Sequence, residues 1–149
     1  MDNKVYALAV YDSKLIAGGS FTTADGLSAN KIASWNGSSW TALGSGIGMG
    51  FGGPDQVNAL ATFDGNLIVG GLFFYAGFVS ASNIASWNGS VWSSLGSGVD
   101  GPVTSFTVLN NNLIVGGSYY QAGGSGANNL ASWNGSAWTP VGVLPSPIG

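Results

Sequence analysis

The chain has 149 residues, of which three are Lys and six are Asp, and it contains no Arg, Glu, His or Cys. This length suits one domain with a sizeable core, and a net charge of −3 without a basic patch argues against a nucleic-acid partner. No apolar run approaches the roughly 20 residues of a membrane-spanning helix, and the N-terminus lacks the pattern of a signal peptide. We therefore expect a folded, turn-rich chain that binds neither nucleic acid nor membrane.

The available residue types also limit the chemistry of the protein. Without His, Cys, Glu or Arg, the usual nucleophile and base pairs, metal sites and phosphate clamps cannot be assembled. The six Asp residues fall at the terminus, in turns or in loops, which suits solvated carboxylates. Asp55 and Asp100 lie in two connectors between repeats, but their acidic density is too low for calcium. The sequence therefore predicts a protein that is not an enzyme and has no cofactor or metal.

Three similar repeats fill the chain. Trp35, Trp87 and Trp133 lie 52 and 46 residues apart, and the same two offsets relate many other positions. The difference falls in a connector, since IGMGFGGPDQ (Ile47–Gln56) stands where the next repeat has VDGP, and this indicates a surface loop. We divide a single repeat domain, 1–149, into a first unit with its connector at 5–56, a second unit at 57–102, a third unit at 103–142 and a C-terminal tail at 143–149.

Each unit reads as four short strands. In the second unit these are VNALATF (57–63), NLIVGG (66–71), NIASWNG (83–89) and VWSSLG (91–96), which are rich in β-branched or aromatic residues and separated by turn residues. Helix signals are absent, because no Glu exists for a capping box and Gly or Ser interrupts every candidate window. The sequence predicts an all-β protein of about twelve strands.

Turn residues recur at fixed places in each unit. The Asn-Gly pairs at 36–37, 88–89 and 134–135 predict the two positive-φ residues of a type I′ turn, with a tryptophan on each side of the hairpin. Asp12, Asp64 and Asn110 occupy the turn of the preceding hairpin. The regular placement of the six tryptophans favours packing between units over exposed stacking on a ligand.

The order of these features resembles the kelch repeat, in which a double glycine closes one strand, an aromatic residue lies on the next strand and a tryptophan on the fourth. The sequence motifs LIxGGxF, IASWNGSxW and LGSG are similar to those in the kelch-like repeats of bacterial secreted proteins and of the fungal cortical polarity marker family. The similarity spans essentially the whole chain, and it implies one propeller blade per unit and an extracellular or cell-surface location. The residues that define the repeat are Gly18, Gly19, Trp35, Asn36, Gly37, Trp40, Gly70, Gly71, Trp87, Asn88, Gly89, Trp92, Gly116, Gly117, Trp133, Asn134, Gly135 and Trp138.

Three blades cannot close a ring, because propellers have 4–8 blades. Two chains related by a two-fold axis give six blades, and such a dimer is the commonest homo-oligomer. We therefore predict three four-stranded kelch-like blades that close as a six-bladed β-propeller by homodimerisation. Two alternatives are that the chain is part of a longer or designed array, and that it is a β-trefoil monomer, which also has three repeats of four strands.

The loops that follow the double glycines vary between units, whereas the strands do not. In a propeller these loops lie on one rim together with the connectors, and their aromatic and polar residues form a candidate ligand surface. The sequence favours a scaffold or interaction module that binds a second copy of itself and presents this rim to a protein partner. The alternative is a lectin, in which Asn30, Ser82 and Asn128 help each repeat to hold a sugar. The candidate rim residues are Phe74, Tyr75, Phe78, Tyr120 and Gln121.

Overall fold

The computed structural model describes residues 1–48 and 54–142, which form eighteen strands and no helix. Twelve of the strands make three separate antiparallel sheets, and each sheet takes all four strands from one repeat. The predicted all-β class is confirmed. Sheet 1 contains β1 (Val5–Tyr11), β2 (Lys14–Gly19), β5 (Ile32–Trp35) and β6 (Trp40–Ala42). Sheet 2 contains β7 (Gln56–Phe63), β8 (Asn66–Leu72), β11 (Ile84–Trp87) and β12 (Trp92–Ser94). Sheet 3 contains β13 (Val103–Leu109), β14 (Asn112–Gly117), β17 (Leu130–Trp133) and β18 (Trp138–Pro140).

Six further strands of two residues each form small hairpins that the sequence did not predict. One hairpin lies between the second and third strands of every sheet, and a buried alanine anchors it. The connector that leaves one repeat pairs with the hairpin of the next, through bridges from Ile47 to Ala76 and from Val99 to Ala122. The hairpins are β3 (Thr23–Ala24) with β4 (Leu27–Ser28), β9 (Tyr75–Ala76) with β10 (Val79–Ser80), and β15 (Gln121–Ala122) with β16 (Ser125–Gly126).

Two predicted segments lie partly or wholly outside the described residues. The connector predicted at Ile47–Gln56 is described at 47–48 and 54–56, and the predicted tail at 143–149 is not described. Strand β7 begins at Gln56, one residue before the predicted start of the second unit. The division into repeat units at 5–56, 57–102 and 103–142 stays a prediction.

The double glycine of the first two repeats has two separate physical causes. Its second member opposes a register shift in the first strand of the same sheet, so that a Cβ on Gly19 would overlap the carbonyl of Lys4. Its first member lies against the neighbouring sheet, since a Cβ on Gly18 would overlap the side chain of Val57. Glycine is therefore required once by the strand itself and once by the adjacent sheet.

The hairpins differ from the predicted turn types. The β1–β2 turn places both Asp12 and Ser13 at positive φ, as in a type I′ turn, and the same is true of the matching turns in the other sheets. At the Asn-Gly pairs 36–37, 88–89 and 134–135 only the glycine has positive φ, so the type I′ prediction is wrong at all three. The register pairs Trp35 with Trp40, which leaves a four-residue loop. The asparagine of this loop acts through its side chain, because Asn36 Oδ1 accepts hydrogen bonds from the amides of Ser38 at 2.8 Å and Ser39 at 2.9 Å.

The two large hydrophobic cores lie between sheets. The core between sheets 1 and 2 combines isoleucines and Leu43 from the first with valines, alanines and Trp92 from the second. The core between sheets 2 and 3 repeats this arrangement one unit later. A third cluster, around Phe21, belongs to sheet 1 alone and consists otherwise of small alanines and part of Trp40. Each sheet is therefore stabilised mainly by the sheet beside it.

Candidate interaction surfaces

The predicted rim residues lie on the small hairpins at one end of sheets 2 and 3. Phe78 is 86% exposed and Tyr120 is 77% exposed, and Phe74 is also largely exposed. Tyr75 and Gln121 begin the equivalent strands β9 and β15, and both are exposed. The antiparallel order of the sheets puts these hairpins and the connectors at the same end, so the five side chains share one exposed, mainly aromatic rim.

The carboxylates of Asp100 and Asp2 each hold one of the rim hairpins. Asp100 Oδ1 accepts hydrogen bonds from the backbone amides of Tyr120 at 2.8 Å and Gln121 at 2.9 Å. The bond from the Gln121 amide is the main reason why the pKa of Asp100 lies below its ordinary value. Asp100 therefore fixes the backbone from which the Tyr120 side chain projects.

Asp2 plays the same part for sheet 1. Its carboxylate accepts hydrogen bonds from the Thr22 hydroxyl at 2.7 Å and from the amides of Thr22 and Thr23 at 2.8 and 2.9 Å. The hydroxyl bond is the largest cause of a strongly lowered pKa of Asp2. The repeat offsets align Asp2 with Asp100 and place Pro54 between them, so the offsets alone could have revealed this pair. Sequence analysis had grouped Asp100 with Asp55 instead.

The polar column that the lectin hypothesis used is engaged with the protein itself at two of its three positions. Asn30 Nδ2 donates to the carbonyl of Ser45 at 3.3 Å, and Ser82 Oγ donates to the carbonyl of Val99 at 3.1 Å. Both bonds fasten a connector to the repeat that precedes it. These two side chains therefore have a structural role at the rim.

Adjacent sheets meet in junctions that repeat the same contacts. Val57 and Val103 each pack on the first glycine of the preceding sheet, and both are fully buried. The fourth-strand tryptophans extend the junction outward, since Trp92 Nε1 donates to the Leu43 carbonyl at 3.0 Å and Trp138 Nε1 to the Leu95 carbonyl at 2.8 Å. Every junction thus has one side that offers valine and tryptophan, and one side that offers glycine and a carbonyl.

The outer face of sheet 1 offers the valine and tryptophan side, and no sheet within residues 1–48 and 54–142 packs on it. Val5, the counterpart of Val57, is 41% exposed, and Leu8 beside it is 62% exposed. The indole N–H of Trp40 makes no hydrogen bond in the described part of the chain, and this ring lines an apolar cavity of about 330 Å³ with Leu27. We call this surface the valine face.

The outer face of sheet 3 offers the second side, and no other sheet of the described residues packs on it. Among the described residues, a Cβ on Gly116 would meet only Ser105 of its own sheet, and a Cβ on Gly142 would meet nothing. Leu130 is 39% exposed, although its counterparts Ile32 and Ile84 are fully buried. We call this surface the glycine face.

Charged groups contribute little to these surfaces. Within residues 1–48 and 54–142 the only ion pair joins Lys14 and Asp12 at 3.9 Å, at the end of the molecule away from the rim. The same residues contain no group of three acidic, histidine or cysteine side chains that could hold a metal ion. They also include no helix with the length and apolar character needed to cross a membrane.

Comparison with known proteins adds no family. No protein-family model matches the chain, and a search of curated proteins finds no match either. The resemblance to kelch-like repeats therefore stays a prediction that rests on the double glycines and the tryptophan hairpins.

Proposed function

We propose that the protein is a non-enzymatic β-propeller scaffold, in which each sheet is one blade and two chains close a ring of six blades. The observation that carries this proposal is the complementarity of the two outer faces. The valine face repeats the residues that sheets 2 and 3 insert into the internal junctions, and the glycine face repeats the residues that receive them. A two-fold axis that coincides with the central axis of the ring would bring each valine face onto the glycine face of the other chain.

The sheet composition favours a propeller over the β-trefoil alternative. A β-trefoil requires strands of different repeats to pair in a shared barrel. Here the strands of each four-stranded sheet come from a single repeat, and the hydrophobic cores lie between sheets. This arrangement is the one expected of stacked blades.

Burial of apolar side chains supplies the free energy of ring closure. Fully burying a side chain such as Val or Leu contributes about 1.5–3 kcal/mol, and a closed dimer has two new junctions. Val5, Leu8 and Trp40 on one face and Leu130 on the other are the principal groups that closure would cover. Together they offset an association cost of the order of 4–15 kcal/mol. The same contacts already stabilise the internal junctions.

The rim is the surface that this scaffold would present to a protein partner. Phe74, Phe78 and Tyr120 are exposed at one end of the sheets, and aromatic side chains are enriched in protein interfaces. A two-fold axis that coincides with the central axis of the ring would place both copies of this rim on the same side of the dimer. The partner would therefore meet two aromatic patches on a rigid support.

The test is the mass in solution, measured by size-exclusion chromatography with light scattering. We expect a dimer of about 30 kDa, since one chain has a mass of 15.0 kDa. The variant L8D should be a folded monomer, because Leu8 is already 62% exposed in the single chain and a charge there opposes only closure. The control V91D changes another exposed aliphatic side chain, away from both outer faces, and should remain a dimer. A monomeric wild-type protein, or a dimer that tolerates L8D, would contradict the proposal.

A further inference from the structure

Each internal junction carries a groove at the end of the sheets opposite the rim. The two grooves correspond position by position under the repeat offsets, so they are a repeated feature of the fold. Their volumes are about 140 Å³ between sheets 1 and 2 and about 310 Å³ between sheets 2 and 3. The smaller groove is lined by Tyr11, Asp12, Lys14, Ser34, Trp87 and Gly89, among others. The larger groove is lined at the matching positions by Phe63, Asp64, Asn66, Ser86, Trp133 and Gly135.

We propose that the larger groove, between sheets 2 and 3, is a binding site for a neutral carbohydrate. Its walls combine two aromatic rings with a carboxylate, an amide and a hydroxyl, from Asp64, Asn66 and Ser86. These three side chains make no hydrogen bond in the described part of the chain, so their polar atoms are available to a ligand. The carboxylate accepts hydrogen bonds, whereas the amide and the hydroxyl can each donate and accept them. This combination matches the neighbouring hydroxyls of a sugar. The apolar C–H face of a sugar ring suits the partly exposed ring of Phe63, whereas Trp133 is 9% exposed and forms the base of the wall.

The charge of the groove selects a neutral ligand over an anionic one. Among the described residues that line it, Asp64 is the only ionisable one, and the chain as a whole carries a net charge of −3. A phosphate, sulfate or carboxylate group would meet this negative charge without a cation to balance it. The volume of about 310 Å³ lies at the lower end of the range for ligand sites, which is roughly 300–1,000 Å³. A single sugar residue is therefore the expected unit of recognition.

A second cavity extends the groove. It has a volume of about 330 Å³, shares Phe63 and Asp64 with the groove, and continues to Val108, Asn111 and Asn134 of sheet 3. Its lining is again a mixture of apolar and amide groups without a cation. The site can therefore continue past one sugar ring, and an oligosaccharide should bind more tightly than a monosaccharide.

The smaller groove provides an internal control. Lys14 takes the place of Asn66 there, and its ammonium pairs with Asp12 at 3.9 Å. The groove that carries the lysine has less than half the volume of the larger groove, about 140 Å³ against about 310 Å³. Tyr11, in the place of Phe63, uses its hydroxyl to donate to the Gly65 carbonyl at 3.2 Å. We therefore assign binding to the larger groove alone.

The test begins with an array of immobilised neutral, sialylated and sulfated glycans. Saturation-transfer NMR with galactose, fucose, mannose and N-acetylglucosamine follows. We expect binding of a neutral glycan at one site per chain. The variant N66K introduces the residue of the smaller groove, and D64N introduces the asparagine that the third repeat has at this turn, so both changes already occur within the fold. Each should weaken binding by about tenfold or more, since a lost hydrogen bond to a charged or constrained group has this effect.

Control variants separate this site from the rim and from ring closure. D12N changes the smaller groove and should leave binding unaltered. L8D should also leave binding unaltered, because the groove lies within one chain and does not depend on a second copy. The inference is overturned if no neutral glycan binds, if sialylated or sulfated glycans are preferred, or if N66K and D64N bind as the wild type does. It is also overturned if F78S at the rim abolishes binding.

Discussion

The same residue has a buried and an exposed copy in this protein, and the difference lies in the neighbouring sheet. Val57 and Val103 are fully buried in the internal junctions, whereas Val5 is 41% exposed on the outer face of sheet 1. Ile32 and Ile84 are fully buried, whereas Leu130 is 39% exposed on sheet 3. The repeat sequence therefore fixes the local strand and turn structure, while the adjacent sheet decides how much each residue contributes to stability.

The largest expected effect comes from the glycines that receive the next sheet. In G70A the new Cβ would lie 2.6 Å from Phe106 Cζ, so the junction between sheets 2 and 3 must open. We expect a loss of about 3 kcal/mol in the free energy of unfolding, at the upper end of the range for overpacking. Urea unfolding measures this loss.

G116A is the matched control for G70A on the outer face. Its Cβ would meet only Ser105 Oγ, at 2.8 Å, and this hydroxyl can rotate away. Monomer stability should change by less than about 0.5 kcal/mol, while the dimer should dissociate at higher protein concentration. Equal destabilisation by the two variants would contradict the assignment of the glycine face as an uncovered half-junction.

A smaller effect is expected from the fourth-strand tryptophans. W92F removes the hydrogen bond to the buried Leu43 carbonyl and should cost about 2 kcal/mol, whereas the Trp40 indole has no such partner in the described part of the single chain. W40F should therefore cost clearly less when unfolding is followed in the monomeric L8D background. In the wild-type dimer the two losses should become similar. If W40F costs the same free energy of unfolding in the monomer and in the dimer, the outer face does not form a junction equivalent to the internal ones.

The asparagine loops should show no difference between repeats, because their contacts are local. Asn88 Oδ1 accepts hydrogen bonds of 2.9 Å from the amides of Ser90 and Val91. N88A should cost about 1 kcal/mol by urea unfolding, and N36A and N134A should cost the same. N88D keeps the acceptor oxygen and should cost less than N88A. A large spread among the three alanine variants would show that these loops also depend on the neighbouring sheet.

Much of the fold could be predicted from the sequence, because strands and turns are encoded locally. The predicted strands at 57–63 and 66–71 correspond to β7 and β8 within one residue at each end. The small hairpins were missed, since two-residue strands have no periodicity to detect. The four-residue loop at Asn36 was also missed, because Asn-Gly signals a turn but does not fix its length.

The candidate sites were less accessible to sequence reasoning. The rim aromatics could be found because they vary where the rest of the repeat does not. The anchoring role of Asp100 depends on two amides about twenty residues later in the chain, and the groove at Asp64 depends on Trp133 of another sheet. Both arise from contacts between distant segments, which residue type and spacing alone do not determine.

The smallest expected effect is a pH dependence of the hairpin anchors. The pKa of Asp100 is lowered from an ordinary value of 3.8, and that of Asp2 is lowered further, because their carboxylates accept hydrogen bonds. A carboxyl group whose pKa is lower in the folded state stabilises the fold above its unfolded pKa, and this contribution disappears as the pH falls through the folded pKa. Stability should therefore decline as the pH falls below about 4.

The variants D2N and D100N should flatten this decline, because asparagine keeps an acceptor oxygen but does not titrate. The midpoint of urea unfolding, measured from pH 6 to pH 3, should separate wild type from D100N at pH 6, and the difference should narrow as the pH falls toward 3. D25N, at an exposed turn position with positive φ, is the control and should follow the wild-type curve. Sheet 2 has Pro54 at the equivalent position, so its hairpin should keep the same protection from hydrogen exchange at pH 6 and at pH 3. A loss of protection in sheet 2 equal to that in sheets 1 and 3 would show that the acid sensitivity does not arise from these two carboxylates.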